Sequence, residues 1–437
     1  MKYMELTKKQ NDLVTIVVPA HNAEDYLKEN IEAILGQTYK NLEVIYVCDG
    51  CTDRTVEILE IYQNDSRLKV IVQKENQGAA ISRNIGMEMA TGDWIIFWDA
   101  DDLFAPEMIE VMVQAAQDTG ADVTGCYWEY FDEKPSKRHK VYNEWRKMYC
   151  SAYPIVDIHK NSKYIMQLTD KGPCTKLVHK TVYRKPEIYF QNIPSTNDVY
   201  YSMMVAMNAN KIVFVDKVLL FYRSNNGRTT LTTQRKRKKN YIWEAYDKIY
   251  EYILLEEKNH EFLQSFYNDV LDIVLICSSE DTSAVLIDEL VNNYFEKWGM
   301  NHKGIEEQLH LINKITYRKI RAGERGLRPL EIHKLARIEF LDNISSFGCS
   351  VWGTGMMGEV LFESVEETDI KFVHVYDSAS DKWGMDYHGY CIECFEDFQA
   401  DHIIVTTPAY YEEIRKQIGD RAEHVYNLEH EIKKIPE

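Results

Sequence analysis

Apolar runs alternate with amphipathic stretches through the first hundred residues. Leu13-Val14-Thr15-Ile16-Val17-Val18-Pro19 reads as a buried strand, and Tyr26 to Leu35 carries apolar residues at helical spacing. Leu42 to Val47 gives a second strand, Thr55 to Tyr62 a helix, and Leu68 to Val72 a third strand. Ala80 to Gly86 opens another helix, and Trp94-Ile95-Ile96-Phe97 is the fourth strand. This alternation predicts an α/β fold with a parallel sheet and right-handed crossovers. Ligands of such sheets bind beyond the carboxyl ends of the strands. Polar clusters stand at those ends: Asp49-Gly50-Cys51-Thr52-Asp53, Asn76-Gln77-Gly78, and Asp99-Ala100-Asp101-Asp102.

The pattern changes beyond Thr233. From Arg235 to about Asn343 it is helical, with an aromatic stripe from Tyr241 to Tyr250 that reads as core packing. The last segment returns to α/β. Cys349-Ser350-Val351-Trp352 is a short strand, and Gly353-Thr354-Gly355-Met356-Met357-Gly358 opens a helix. Phe372 to Tyr376 is the next strand and ends in Asp377. His402 to Thr407 and His424 to Leu428 follow as further strands. Gly353, Gly355, Gly358 and Asp377 form a possible second nucleotide site, the glycines for backbone approach to a phosphate and the aspartate for ribose hydroxyls. Three parts are expected: 1–233, 234–343 and 344–437, the last a small Rossmann-like domain.

Asp99, Asp101 and Asp102 place three carboxylates within four positions. Like charges this close raise one another's pKa unless a cation lies between them, and a hard divalent ion with oxygen ligands fills that role. A solvated, helix-capping loop is the competing reading.

Four motifs in order carry a family resemblance: Val17-Val18-Pro19-Ala20-His21-Asn22; Asp49-Gly50-Cys51-Thr52-Asp53; Asn76-Gln77-Gly78 with Arg83-Asn84-Ile85-Gly86; and Thr91-Gly92-Asp93 through Asp102. The first half of the chain resembles an inverting family-2 glycosyltransferase with a GT-A fold. His21 stands where the family usually has an aromatic, and Cys51 where it has Ser. The resemblance implies a UDP-sugar donor. Asp49 would accept from the uracil N3–H, with Pro19, Asn22 and Glu24 bordering the base. Asn76, Gly78, Arg83 and Ala100 would line the nucleotide, Asp99 the ribose, and Asp101 would ligate Mn²⁺ or Mg²⁺, with Asp102 in support. Glu24 also reads as a helix-start carboxylate.

The resemblance further implies a general base in Ser195-Thr196-Asn197-Asp198-Val199, with Asp198 as the base and Asn197 in place of the usual Glu. Asp198 also reads as a helix cap. Lys176, in Gly172-Pro173-Cys174-Thr175-Lys176, would face the diphosphate or acceptor, as would Arg223 or Arg228. Asn225 would complete the metal shell where relatives carry His. The expected acceptor is a glycan or lipid-linked hydroxyl in surface polysaccharide synthesis.

The chain has 437 residues, 45% of them apolar, which is ample for several cores. A net charge of −18 excludes a nucleic-acid binder. Basic runs at Lys134–Lys140, Arg235–Lys239 and Arg318–Arg321 read either as solvated faces or as peripheral contacts with a membrane or phosphorylated acceptor. No apolar run reaches transmembrane length and no signal-peptide core precedes Asn11, so a cytoplasmic protein is expected, with oligomerisation open. Nine cysteines fit reduced thiols. Two alternatives stand beside the transferase: an NAD-linked oxidoreductase run by the C-terminal domain, and a non-catalytic scaffold with a decayed transferase domain.

Overall fold

In β1 (Val14–Ala20), residues Val14 through Val18 have no exposed surface, although alternate side chains point to opposite faces. Burial on both faces marks the centre of a helix-covered parallel sheet. The computed structural model describes residues 11–131, 155–223, 241–277, 283–397, 400–407 and 410–432. Asn225, Arg228, and the basic runs Lys134–Lys140 and Arg235–Lys239 lie outside the described residues. The chain divides into two compact units, Met1–Ser265 and Phe266–Glu437.

In the first unit the elements run α1 (Leu27–Leu35), β2 (Leu42–Asp49), α2 (Thr55–Ile61), β3 (Leu68–Gln73), α3 (Ala79–Met89), β4 (Trp94–Phe97), β5 (Leu103–Phe104) and α4 (Met108–Thr119). β6 (Val123–Phe131), β7 (Ile155–Asp157), β8 (Lys176–His179), α5 (Asn197–Asn208), β9 (Lys211–Arg223) and α6 (Ile242–Leu255) follow. The sheet order is β3-β2-β1-β4-β8-β6-β9-β5, with β7 against β9. β3, β2, β1 and β4 are parallel, whereas β8 is antiparallel to both β4 and β6. Strand order reverses between β1 and β4, where crevices open in such sheets. α3 sits so close to β1 that a Cβ on Gly86 would lie 2.2 Å from Val17 Cγ1.

β4 pairs with only the first four positions of β1, Val14↔Trp94 through Val17↔Phe97. Trp98 still donates to the Val17 carbonyl at 3.0 Å, and its ring stacks on Phe104 at 3.7 Å. The chain then turns off the sheet, and the acidic cluster occupies that turn. α6 packs on α5 through a buried face of Trp243, Tyr246, Ile249 and Ile253. The aromatic stripe is therefore core.

The second unit holds α8 (Ser283–Asn293), α9 (Leu311–Arg321) and α10 (Pro329–Ile344), and α7 (Leu263–Cys277) carries the division between the units. Next come β10 (Cys349–Trp352), α11 (Met356–Val365), β11 (Val375–Asp377), β12 (Asp386–Tyr387), β13 (Tyr390–Cys394), β14 (His402–Val405), α12 (Tyr411–Ile418), β15 (His424–Asn427) and α13 (Leu428–Ile432). The order β12-β13-β11-β10-β14-β15 is parallel from β13 to β15, a doubly wound arrangement. The strand expected from Phe372 to Tyr376 begins only at Val375, and Phe372 is instead tied through its N–H to the Tyr390 hydroxyl. Arg337 of α10 and Glu429 of α13 pair at 2.8 Å, both almost wholly buried. No helix among the described residues is long and apolar enough to cross a membrane.

Candidate active site

The crevice beyond β1, β2 and β4 is built by loops that brace one another. Asn22, at φ +50°, accepts from the Thr52 N–H at 2.8 Å, and Glu24 accepts from the Arg54 N–H at 3.1 Å. In return Asp53 accepts from the Glu24 N–H, and Thr55 Oγ1 from the Ala23 N–H. Glu24 thus serves the start of α2, the helix-end role that its charge favours. His21 Nδ1 lies 2.7 Å from the Asp49 carbonyl oxygen, which ties the first loop to the end of β2.

Asp49 is buried, and both carboxylate oxygens are engaged. Oδ1 accepts from the Gln77 N–H and Oδ2 from the Gly78 N–H, each at 2.7 Å, with Gln73 Nε2 at 3.3 Å from Oδ1. Asp49 therefore anchors the β3–α3 turn, a duty not visible in its motif. Asn76 Oδ1 adds an Asx-type bond to the Gly78 N–H, and Gly78 sits at φ +95°. Gly50 is required twice over. It has φ +59°, and a Cβ there would lie 2.4 Å from the Asn76 nitrogen.

The acidic turn is held from beneath by Asn30 of α1. Its Nδ2 donates to the carbonyls of Asp99 and Asp102, each at 3.0 Å, while its Oδ1 accepts from the Tyr46 hydroxyl at 2.7 Å. Sequence reasoning missed Asn30. The available signal was an amide on the apolar face of α1, between Leu27 and Ile31.

Arg83 organises the rest. Its side chain is nearly buried, with Nη2 2.7 Å from Asp99 Oδ1 and Nη1 3.2 Å from Asn197 Oδ1. This fork joins the end of β4 to the first residue of α5, and Asp198 follows in that first turn, half-buried and felt electrostatically by Arg83. Thr196, which precedes α5, adopts φ +61°. That conformation is strained for a β-branched residue and is often found at functional sites.

Burial and the Asp99 charge push the Asp101 carboxyl up to about 6. Burial, then Asp101 and Asp99, hold the Asp102 carboxyl well above the usual carboxylate range; its Oδ1 accepts from the Arg223 N–H at 3.0 Å, and its buried Oδ2 has no partner. Ligand atoms of Asp99, Asp102 and Cys174 lie within 4.8 Å of one another, the only such group of His, Cys, Asp or Glu among the described residues. An orphaned carboxylate oxygen with raised acid pKa values around it is an arrangement that a divalent cation would relieve. Asp101 borders this group rather than belonging to it. Cys174 is a buried thiol whose pKa is pushed up by burial and Asp99, against the opposing pull of Arg83. The sequence reading gave it no role.

Two expected diphosphate contacts face elsewhere. Lys176 is buried, and its Nζ donates to the carbonyls of Asp170 and Gly172, the latter at 2.7 Å. Arg223 is also buried. Its Nε donates to the Asp101 carbonyl at 2.7 Å, Nη2 pairs with Glu29 at 2.9 Å, and the guanidinium lies over the Tyr26 ring. Both cations brace backbone, because β8 and β9 present them to the protein side of the loops. Pro19 is the penultimate residue of β1, and Ala100 is buried in the acidic turn.

In the second unit Gly353 has φ +110° and Gly358 packs against the Gly353 carbonyl, as the turn motif requires. Gly355 is open. Asp377, however, is committed inward. Oδ2 accepts from the Thr354 N–H and hydroxyl and from Lys382 Nζ, while Oδ1 accepts from the Ala379 N–H. The aspartate expected to hold a ribose instead closes its own loop. The described cysteines are free thiols.

Residues 15–185 match the family model described as glycosyl transferase family 2, and residues 348–425 match that of C2185-like, N-terminal. Glycosyltransferase GlyG of Streptococcus pneumoniae serotype 4 is 32% identical over 222 residues, covering 50% of this chain and 72% of that protein. Uncharacterized glycosyltransferase YibD of Escherichia coli is 26% identical over 255 residues, 57% of this chain and 72% of its own. Among solved structures, S. aureus TarS 1–349 in complex with UDP aligns with a TM-score of 0.53 at 20% identity, over 71% of this chain and 87% of that one. The same fragment with UDP-GlcNAc gives 0.53 at 19% identity, over 71% and 92%. These likenesses establish a shared fold.

Proposed function

The chain belongs to glycosyl transferase family 2, and from that premise we propose that it transfers a sugar from a UDP-sugar to a hydroxyl of a glycan or lipid-linked acceptor, with inversion, in surface polysaccharide synthesis. The observation that carries the reading is the Arg83 fork, which brings the acidic turn after β4 and the start of α5 to one crevice.

The nucleotide occupies the crevice bordered by Pro19, Asn22, Glu24, Asn76 and Gly78, with Asp49 shaping its floor. Asp99, held by Arg83, meets the ribose. Asp198 takes the proton of the acceptor hydroxyl as that oxygen bonds to the anomeric carbon. The bond from that carbon to the diphosphate breaks on the opposite face, and UDP departs with the electron pair. Mn²⁺ or Mg²⁺ held by Asp101, with Asp99 and Asp102 beside it, would supply positive charge to the leaving diphosphate. Asn30 and Arg223 hold the acidic turn in place for this work. The committed Asp377 disfavours an NAD-linked reading of the second unit.

A thermal-shift and hydrolysis screen of UDP-, GDP-, dTDP- and CDP-sugars with Mn²⁺ tests the proposal. Selective stabilisation and turnover with a UDP-sugar are expected. Silence with every nucleotide sugar would return the scaffold reading.

A further inference from the structure

The C-terminal turn of α9 and the glycine-flanked loop before it border an open surface cavity of about 390 Å³ in the second unit. Asn301, His302, Lys303, Gly304, Arg318 and Arg321 line it. Its one acidic neighbour, Glu306, is paired with Arg318, which also meets Glu339. Arg321 donates to the Asn301 side-chain oxygen, a neutral acceptor. Among the described residues neither Arg321 nor Lys303 has a carboxylate partner. A planar fork held by an amide, beside an ammonium on a glycine-flanked loop, suits the tetrahedral oxygens of phosphate.

A second cavity of about 170 Å³ shares Asn301 and Arg321 and is floored by Phe295, Ile320 and Val291. The pair offers a cationic basin joined to a slot of mixed character, which Arg325, paired with Asp288, also lines. The basic run Arg318–Arg321, in a chain of net charge −18, thus has a local destination that the transferase reading leaves unused. The ordinary account of such a run is charge complementing a helix C-terminus. That account explains Lys319, paired with Glu324 and Glu331, but not the carboxylate-free Arg321 over a cavity.

We propose that this cavity binds a phosphomonoester or phosphodiester group. A soluble phosphorylated compound and an anionic lipid headgroup share that chemistry. The site is independent of the donor crevice.

The test compares the full chain with a Lys303→Gln/Arg321→Gln variant and with a Lys371→Gln/Lys416→Gln control that removes equal charge from exposed positions elsewhere. Inorganic phosphate binding is measured by calorimetry. Vesicle binding is measured by co-sedimentation with phosphatidylglycerol in phosphatidylcholine, and with phosphatidylcholine alone. Loss of two charge-assisted contacts should weaken binding by about tenfold or more in the cavity variant and leave the control unchanged. A selective loss confined to phosphate assigns a soluble ligand; one that extends to phosphatidylglycerol vesicles assigns a headgroup. The proposal is overturned if the cavity variant matches the wild type with both probes, or if the control loses binding equally. Unchanged circular dichroism and unchanged UDP-sugar response establish that both variants are folded.

Discussion

Arg83 Nη1 donates to Asn197 Oδ1 at 3.2 Å, linking α3 to the first residue of α5 across a separation of 114 residues. Because Asp198 is the next residue, the bond fixes where the proposed base stands. Asn197→Leu should lower kcat by about 10-fold or more while the donor KM stays near wild type, since positioning is lost but the nucleotide crevice is intact. An equal rise in KM would mean that Asn197 serves donor binding instead.

Asp198→Ala should reduce turnover by about 10²–10⁴-fold with UDP affinity retained. Steady-state kinetics with the native acceptor, alongside UDP titration, read the two effects separately. Full activity would remove Asp198 from the chemistry.

Cation binding should weaken on acidification. Asp101 titrates near 6 when no cation is bound, because burial and Asp99 oppose its charge. An acid with a raised folded pKa stabilises the fold increasingly as pH falls from about 6 toward its unfolded value near 4, whereas ligation needs the ionised form. The rise in melting temperature on adding Mn²⁺ should therefore be larger at about pH 7.5 than at about pH 5. Asp101→Asn should flatten that difference, and a pH-independent Mn²⁺ effect would argue against Asp101 as the ligand.

Asp49→Ala should destabilise the first unit by about 2–4 kcal/mol, because two backbone N–H groups lose charge-assisted partners at once. Denaturant melts would read the loss, and donor affinity should fall with it as the Gln77-Gly78 turn relaxes.

Arg337 and Glu429 offer a test of pure stability. Each is almost wholly buried, and Arg337 Nε and Nη1 and Glu429 Oε2 have no hydrogen-bond partner. Arg337→Met or Glu429→Leu alone should cost about 3–5 kcal/mol by stranding the other charge. The double variant should lie much nearer wild type, and additive losses would show that the two residues are not coupled.

The strands and the acidic turn were legible because run length and position suffice to find them. Trp94–Phe97 is short and wholly apolar, and the first charge follows after Trp98. Lys176 and Arg223 were not legible. Both are cations beside a polar site, and whether they face the ligand or the loop depends on how β8 and β9 pair with strands far away in sequence. Cys174 and Asn30 were hidden for the opposite reason. A buried thiol and a buried amide look like core until the chain folds and their polar atoms are seen to meet the acidic turn. Asp377, which spacing pairs with the Gly353–Gly358 turn, serves the loop itself, and spacing alone does not reveal that.

Gly50 sets a boundary on how this crevice can diversify. Any side chain there would collide with the backbone at Asn76, so the second and third loops interlock at a point with no space for a Cβ. The neighbouring Thr52 is exposed, whereas Cys51 packs against the core and its thiol reaches the Ala20 carbonyl at 3.3 Å. A designer seeking a changed nucleobase preference should randomise Thr52 and leave the glycine alone.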